Sequence, residues 1–378
     1  MSQEQIPTPT SSSAPVATSD GRPDEALGLR YPCGEVPAHG QAKEVAPGVL
    51  WLRMPLPFSL NHINLWAIAD WDEQGAGWAI VDTGTKTPDV LAAWQQLLAA
   101  DGPLANTPQG ARLTRVFVTH MHPDHVGMAG WLTRKFDVRL WMTRLEYLTC
   151  RTLAADTGRE APDDAIRFYR EAGWPESALD MYRARFGGFG KYLHPLPDSF
   201  HRLTDGQVLR IGDKDWRVIV GRGHSPEHAC LACDELKVLI SGDQVLPRIS
   251  SNVSVFPTEP EADPLGDWID SLTHLRATLP GDLLVLPAHG EPFLGLHARL
   301  DRLVGGHTKG LERLKRSLSE PKRAIDVFGA LFARPIGGDS DLLGMATGES
   351  LAHLNHLRAL GQVVREADAS GVQHYRVV

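Results

Sequence analysis

The chain has 378 residues, 42% of them hydrophobic and 22% charged, with a formal net charge of −8. That length exceeds a usual single domain, so one large globular domain with an accessory piece is expected. The negative charge argues against a general binder of nucleic acid or of an anionic membrane, and the chain has neither an apolar run of roughly 18 residues nor a secretory-signal pattern.

In chain order, residues 1–25 are rich in Ser, Thr and Pro and are expected to be disordered. Asn61-His62-Ile63-Asn64 leads into the strand pattern Leu65–Ile68, and Ala79-Ile80-Val81 closes on Asp82 and a glycine turn. Leu113–Thr119 reads as a buried strand running into Thr119-His120-Met121-His122-Pro123-Asp124-His125-Val126-Gly127, and residues 128–135 read as the helix that follows. His120 and His122, two apart, can point the same way from one extended backbone, while Asp124 and His125 are placed for a second ion. A strand end opening onto a helix is where α/β folds put their chemistry. His122 and His224 lie 102 residues apart, more than a strand and a helix require. The surplus, about 145–200, reads as an inserted helical pair. Its aromatics, Tyr182 among them, suit either a lid over the site or plain packing.

Three further strand patterns end on metal-ligand types: 216–220 before His224, 238–242 before Asp243, and 283–288 before His289. The loop 247–252, with Asn252, follows Asp243 and is expected to line the pocket. Leucines from 296 to 318 fall at helical spacing. Beyond them come a short helix over 324–332, another starting at 348, and a closing hairpin over 363–366 and 374–378. Cys230 and Cys233 are three apart in a predicted strand, so their sulfurs diverge. Four scattered cysteines make no disulfide scaffold, and a reduced cytoplasm fits.

With these motifs in place and in order from about Val49 to Gly290, the chain resembles the metallo-β-lactamase fold superfamily. The resemblance implies an α/β fold: a four-layer αββα sandwich over 26–318, with the helical insertion and a small winged-helix-like C-terminal module over 319–378. It implies a first ion on His120, His122 and His224 and a second on Asp124, His125 and His289. Asp243 would bridge both, with Asp82 orienting the histidine loop by hydrogen bonding. The region of His62 and Asn64 is a hairpin near the site mouth in that family, which makes both candidate substrate contacts.

The donors are all N or O. Zinc is favoured, and manganese(II) or iron(II) satisfies the same set. In this family β-lactamases generally lack an aspartate at the position of Asp243, whereas thioesterases, lactonases and phosphodiesterases have one. The expectation is therefore a dinuclear hydrolase. A metal-bridging hydroxide would attack an ester, thioester or lactone carbonyl of a small molecule, with Asp124 orienting it and shuttling the proton. The alternative is a phosphodiesterase or nuclease of the same fold. Over 311–378 nine Lys and Arg face eight Asp and Glu. That balance argues against nucleic acid and points to packing or homodimerisation as the module's role.

Overall fold

The computed structural model describes residues 27–57, 60–333, 335–337 and 340–378. The 1–25 segment expected to be disordered lies outside them. Two sheets make the body. The first takes its strands in chain order: β1 (Ala42–Ala46), β2 (Val49–Pro55), β3 (His62–Asp72), β4 (Gly75–Val81), β5 (Leu113–Phe117), β6 (Leu140–Thr143) and β7 (His201–Leu203). The second runs β12 (Leu284–Pro287), β11 (Val238–Gly242), β10 (His228–Cys233), β9 (Lys214–Gly221), β8 (Val208–Ile211).

Side chains alternate between the two faces of each strand, and this builds three cores. Along β2, Val49 and Trp51 enter the core between the sheets, where Trp51 stacks on Trp66. Leu50, Leu52 and Met54 instead face the helices α1 (Pro88–Leu97) and α3 (Ala129–Phe136). Along β10, Ala229, Leu231 and Cys233 face the inter-sheet core, and Cys230 and Ala232 face the outer one. The two sulfurs diverge as their spacing predicts. The second outer core is covered by α7 (Pro264–Thr278) and α8 (Leu296–Ser317). Helix, sheet, sheet and helix are the four layers.

The direction of the strands positions the site. β4, β5 and β6 pair in parallel, so all three end at the same edge. β9 and β11 both run antiparallel to β10, and β12 is parallel to β11, so these three also end together. Asp82, the histidine loop, His224, Asp243 and His289 each follow one of these ends, which gathers them at one rim of the sandwich.

The 145–200 region is helical, with α4 (Arg144–Ala155), α5 (Asp163–Glu171) and α6 (Glu176–Arg185). It bridges the two helical layers. Tyr147 and Cys150 of α4 pack under the first sheet, whereas Phe168, Tyr169 and Leu179 of α5 and α6 join the core on the second. After α8 come α9 (Phe328–Leu331) and α10 (Ser340–Ala359), then a hairpin of β13 (Val363–Ala367) and β14 (Gln373–Val377). The helix expected over 324–332 is a 3-10 turn over Ala324–Val327 continued by α9, and α10 begins eight residues earlier than expected at 348. Leu351, Leu354 and Leu357 of α10 belong to the same core as α5 to α8. No helix among the described residues is long and apolar enough to cross a membrane.

Candidate metal centre

The peptide from Thr119 to Gly127 leaves β5, turns, and becomes the four-residue helix α2 (Pro123–Val126) with Pro123 at its start. The extended backbone at His122 and the helical turn after it split the motif. His120 and His122 approach each other, with Nε2 of one 2.8 Å from Nδ1 of the other. His125 turns the opposite way, towards Asp82.

Two groups of donors result, each with its ligand atoms within 4.8 Å of one another: His120, His122, His224 and Asp243, and then Asp124, His125 and His289. Asp243 reaches both. Its Oδ2 lies 3.4 Å from His224 Nε2 and 3.6 Å from His125 Nε2, and its Oδ1 is 3.4 Å from His289 Nε2. Asp124 Oδ2 is 3.3 Å from His289 Nε2.

The far nitrogen of four of the five rings is spoken for. His224 Nδ1 donates to the Asn252 carbonyl at 2.7 Å, and His289 Nδ1 to the His62 carbonyl at 2.9 Å. His125 Nδ1 donates to Asp82 Oδ2 at 2.8 Å, and His120 Nδ1 lies 3.1 Å from the Thr119 hydroxyl. A carbonyl or carboxylate oxygen can only accept, so at His224, His289 and His125 these contacts put a proton on Nδ1 and turn Nε2 inward. His125 Nε2, His224 Nε2 and Asp243 Oδ1 are then buried with no hydrogen-bond partner. Buried polar atoms are normally satisfied. Three that converge unsatisfied between histidines and carboxylates fit a divalent cation, and the N and O donor set suits zinc, manganese or iron.

The electrostatics agree. Burial and the neighbouring imidazoles hold His120 well below the ordinary histidine range, and burial with His224 pulls His122 down to about 3. Both rings are neutral near pH 7, as ligands must be. Burial opposes ionisation of Asp124, but His125 and His289 outweigh it and bring it down to about 2; Asp243 is likewise held low. Burial also depresses His125 and His289, yet the facing carboxylates more than reverse it and raise both. The two anionic carboxylates draw positive charge to the centre, and a bound cation would take the place of the protons they favour on His125 and His289.

The expected supporting residues take different places. Asp82 has φ +62°, a left-handed conformation that aspartate tolerates. Its carboxylate accepts from the Thr119 backbone N–H at 2.8 Å and from His125, so it shapes the loop and aims a ligand together. Asn64, expected to touch substrate, supports the His289 loop instead, and His62 supports the same loop. His62 Nε2 accepts from the Gly290 N–H at 2.9 Å. Asn64 is wholly buried. Its amide donates to Pro287 and Gly290 carbonyls and accepts from the Trp51 indole, which leaves no atom for a ligand. The Tyr182 ring packs on Tyr169 and Phe186, at centroid distances of 4.8 and 5.8 Å, against the core that covers the second sheet. Asn252 does stand at the site, through its backbone carbonyl.

Two further residues support the site. His228 Nε2 accepts from the Asp243 N–H at 3.0 Å and fixes Asp243 from behind. Glu146, buried at the start of α4, accepts from the Met121 N–H at 2.9 Å and the Glu227 N–H at 2.8 Å, tying the histidine loop to the turn after His224. Burial raises its pKa. Nothing in the spacing marks Glu146, because its partners lie 25 and 81 residues away.

Comparison with known proteins agrees with this geometry. The sequence profile described as "Metallo-beta-lactamase superfamily" matches residues 62–289, which contain every ligand candidate. The chain belongs to this superfamily. A second profile, "Metallo-beta-lactamase-like, C-terminal domain", matches 311–378. A solved structure, a "Beta-lactamase domain protein" from Burkholderia ambifaria, is 41% identical with a TM-score of 0.83 and covers 93% of this chain and 100% of that chain. A "Probable metallo-hydrolase" of Bacillus subtilis is 24% identical over 82% of this chain and 92% of its own length. An "Atrochrysone carboxyl ACP thioesterase" of Aspergillus aculeatus is 23% identical over 80% of this chain and 79% of its own. This member of the metallo-beta-lactamase superfamily is a metallo-hydrolase.

Proposed function

We propose that the protein holds two divalent ions, zinc by preference, and hydrolyses a small ester, thioester or lactone, thioesters foremost. The observation that carries the reading is the double cluster with Asp243 between its halves and three unsatisfied buried donors turned inward. The fungal relative named as a carboxyl ACP thioesterase supports a thioester as the bond cleaved. When bound, such ions supply a water that ionises near neutral pH and a Lewis acid for a carbonyl oxygen.

The remaining chemistry belongs to the chain. The four Nδ1 contacts hold four of the five imidazoles in one orientation, so the site is largely assembled before substrate arrives. Asp243 is nearly closed off from solvent, which suits a fixed anionic bridge. Asp124 is the more exposed acid, with 22% of its side chain accessible, and stands at the mouth. Its carboxylate can take a proton from the nucleophilic water and return it to the departing group. This role needs an acid that reaches both the second cluster and solvent.

The test measures metal content of the purified protein together with matched initial rates on a thioester, a lactone and a phosphodiester. About two ions per chain with metal-dependent cleavage of carbonyl substrates is the expected result. Turnover of the phosphodiester alone would overturn the substrate class, and fewer than two ions in metal-replete protein would overturn the dinuclear reading.

A further inference from the structure

His224 has one handle. Its Nε2 faces the metal cluster and its Nδ1 donates to the Asn252 carbonyl, so the direction of that carbonyl decides where the ring points. What holds Asn252 lies 97 residues further along the chain. The Asn252 amide donates through Nδ2 to Glu349 Oε2 at 2.9 Å and accepts through Oδ1 from the Ser254 hydroxyl at 2.5 Å, so both its ends are pinned. The Val255 N–H donates to the Gly348 carbonyl at 3.0 Å. A Cβ on Gly348 would lie 2.7 Å from Ser254, closer than real contacts allow, so α10 is pressed against the 252–255 loop backbone to side chain. Met345, Gly348 and Glu349 are three and four residues apart, on one face of the helix, and that face carries the loop.

We propose that Glu349, through Asn252, is a positioning residue for the metal ligand His224, and that the C-terminal domain thereby completes the metal site. The profile match that contains the ligands ends at 289, and Glu349 lies in the separate C-terminal match, so the link crosses from one domain to the other. The character of Glu349 supports the role. It is not paired with a Lys or Arg among the described ion pairs, and burial raises it to about 7 against the opposing pull of Asn252. A buried carboxyl without a cation is a poor device for stability alone. It is a good one for holding an amide in place, because a carboxyl offers an acceptor oxygen in either protonation state.

The inference rests on the two-metal reading above and is tested without substrate. Metal-free full-length protein is titrated with Zn2+ against a chromophoric chelator, and the metal-free melting temperature is recorded alongside. Glu349→Ala is expected to weaken one of the two binding steps about ten-fold or more and leave the other unchanged, the scale on which outer partners of metal ligands act. Glu349→Gln keeps an acceptor oxygen for Asn252 and is expected to restore binding to within about three-fold of wild type, a small residue of the effect of losing the partner outright. Should Glu349→Ala not fold, Asn252→Ala carries the same prediction, because it removes the amide and keeps the carbonyl. The double variant is expected to lose no more than the worse single one, as residues on one path do. Unchanged affinity at both steps in Glu349→Ala overturns the proposal. So do losses that add in the double variant, or a Glu349→Gln protein as impaired as the alanine variant. A wild type that binds no Zn2+ overturns the metal reading itself, and this inference with it.

Discussion

Asp82 illustrates how much one side chain can settle. Its carboxylate accepts from the Thr119 N–H and from His125, and its own N–H donates to Phe117 at 2.9 Å. Loop shape and ligand orientation therefore fail together when it is lost. Asp82→Ala is expected to lower metal affinity about 10- to 100-fold at the cluster of Asp124, His125 and His289. Ions retained after dialysis against a graded chelator series would show this, and full retention would mean that His125 is aimed by packing alone. Sequence reading reached Asp82 because it stands at a strand end beside a glycine. It misjudged Asn64, two residues into a strand, because only the fold reveals that its amide is buried among the Pro287 and Gly290 carbonyls.

At the scale of elements, close backbone packing sets the tolerances. A Cβ on Gly130 of α3 would come within 2.0 Å of the Pro195 carbonyl oxygen, a contact with backbone that cannot swing aside. Gly130→Ala is expected to cost about 1–3 kcal/mol, the usual range for overpacking, read from the urea midpoint. An unchanged midpoint would show that residues 194–195 yield freely. Between α8 and α10, His307 Nδ1 and His353 Nε2 lie 3.4 Å apart, and burial above all brings each ring down to about 4. The folded values lie below the ordinary 6.5, so the unfolded chain binds more protons between pH 6.5 and 4. Stability from these rings is thus complete above 6.5 and lost as pH falls towards 4. His307→Gln removes one of the two. The melting-temperature advantage of wild type over this variant is expected to shrink from pH 7.5 to pH 5, and a constant advantage would mean that the ring is not held neutral.

For the whole molecule, the C-terminal residues are part of the body. Trp174, between α5 and α6, donates to the Thr347 hydroxyl of α10 at 2.9 Å, and the two regions share one core. The cations there are largely engaged at home. Arg358 and Arg365 both reach Glu261, at 3.0 and 2.8 Å, and Arg323 pairs with Asp326 at 2.8 Å. With a net charge of −8 over the chain, no basic face is expected to capture phosphates. Fluorescence anisotropy with a random oligonucleotide near 0.15 M salt should register no binding. Saturable binding that weakens steeply with salt would overturn that expectation.

The local code of the chain was enough to place every ligand candidate. A strand advertises itself by a short apolar run, a metal loop by histidines and aspartate within six residues, and both signals are complete within a dozen neighbours. The helices of the 145–200 region were legible for the same reason. Tertiary structure alone decided which nitrogen of each histidine faces inward, that His62 and Asn252 serve through backbone carbonyls, and that Glu146, His228 and Glu349 hold the site from behind. Those roles depend on hydrogen bonds between residues 15 to more than 200 positions apart. Such partners obey no spacing rule, because the sheets bring them together only after each strand has chosen its neighbour.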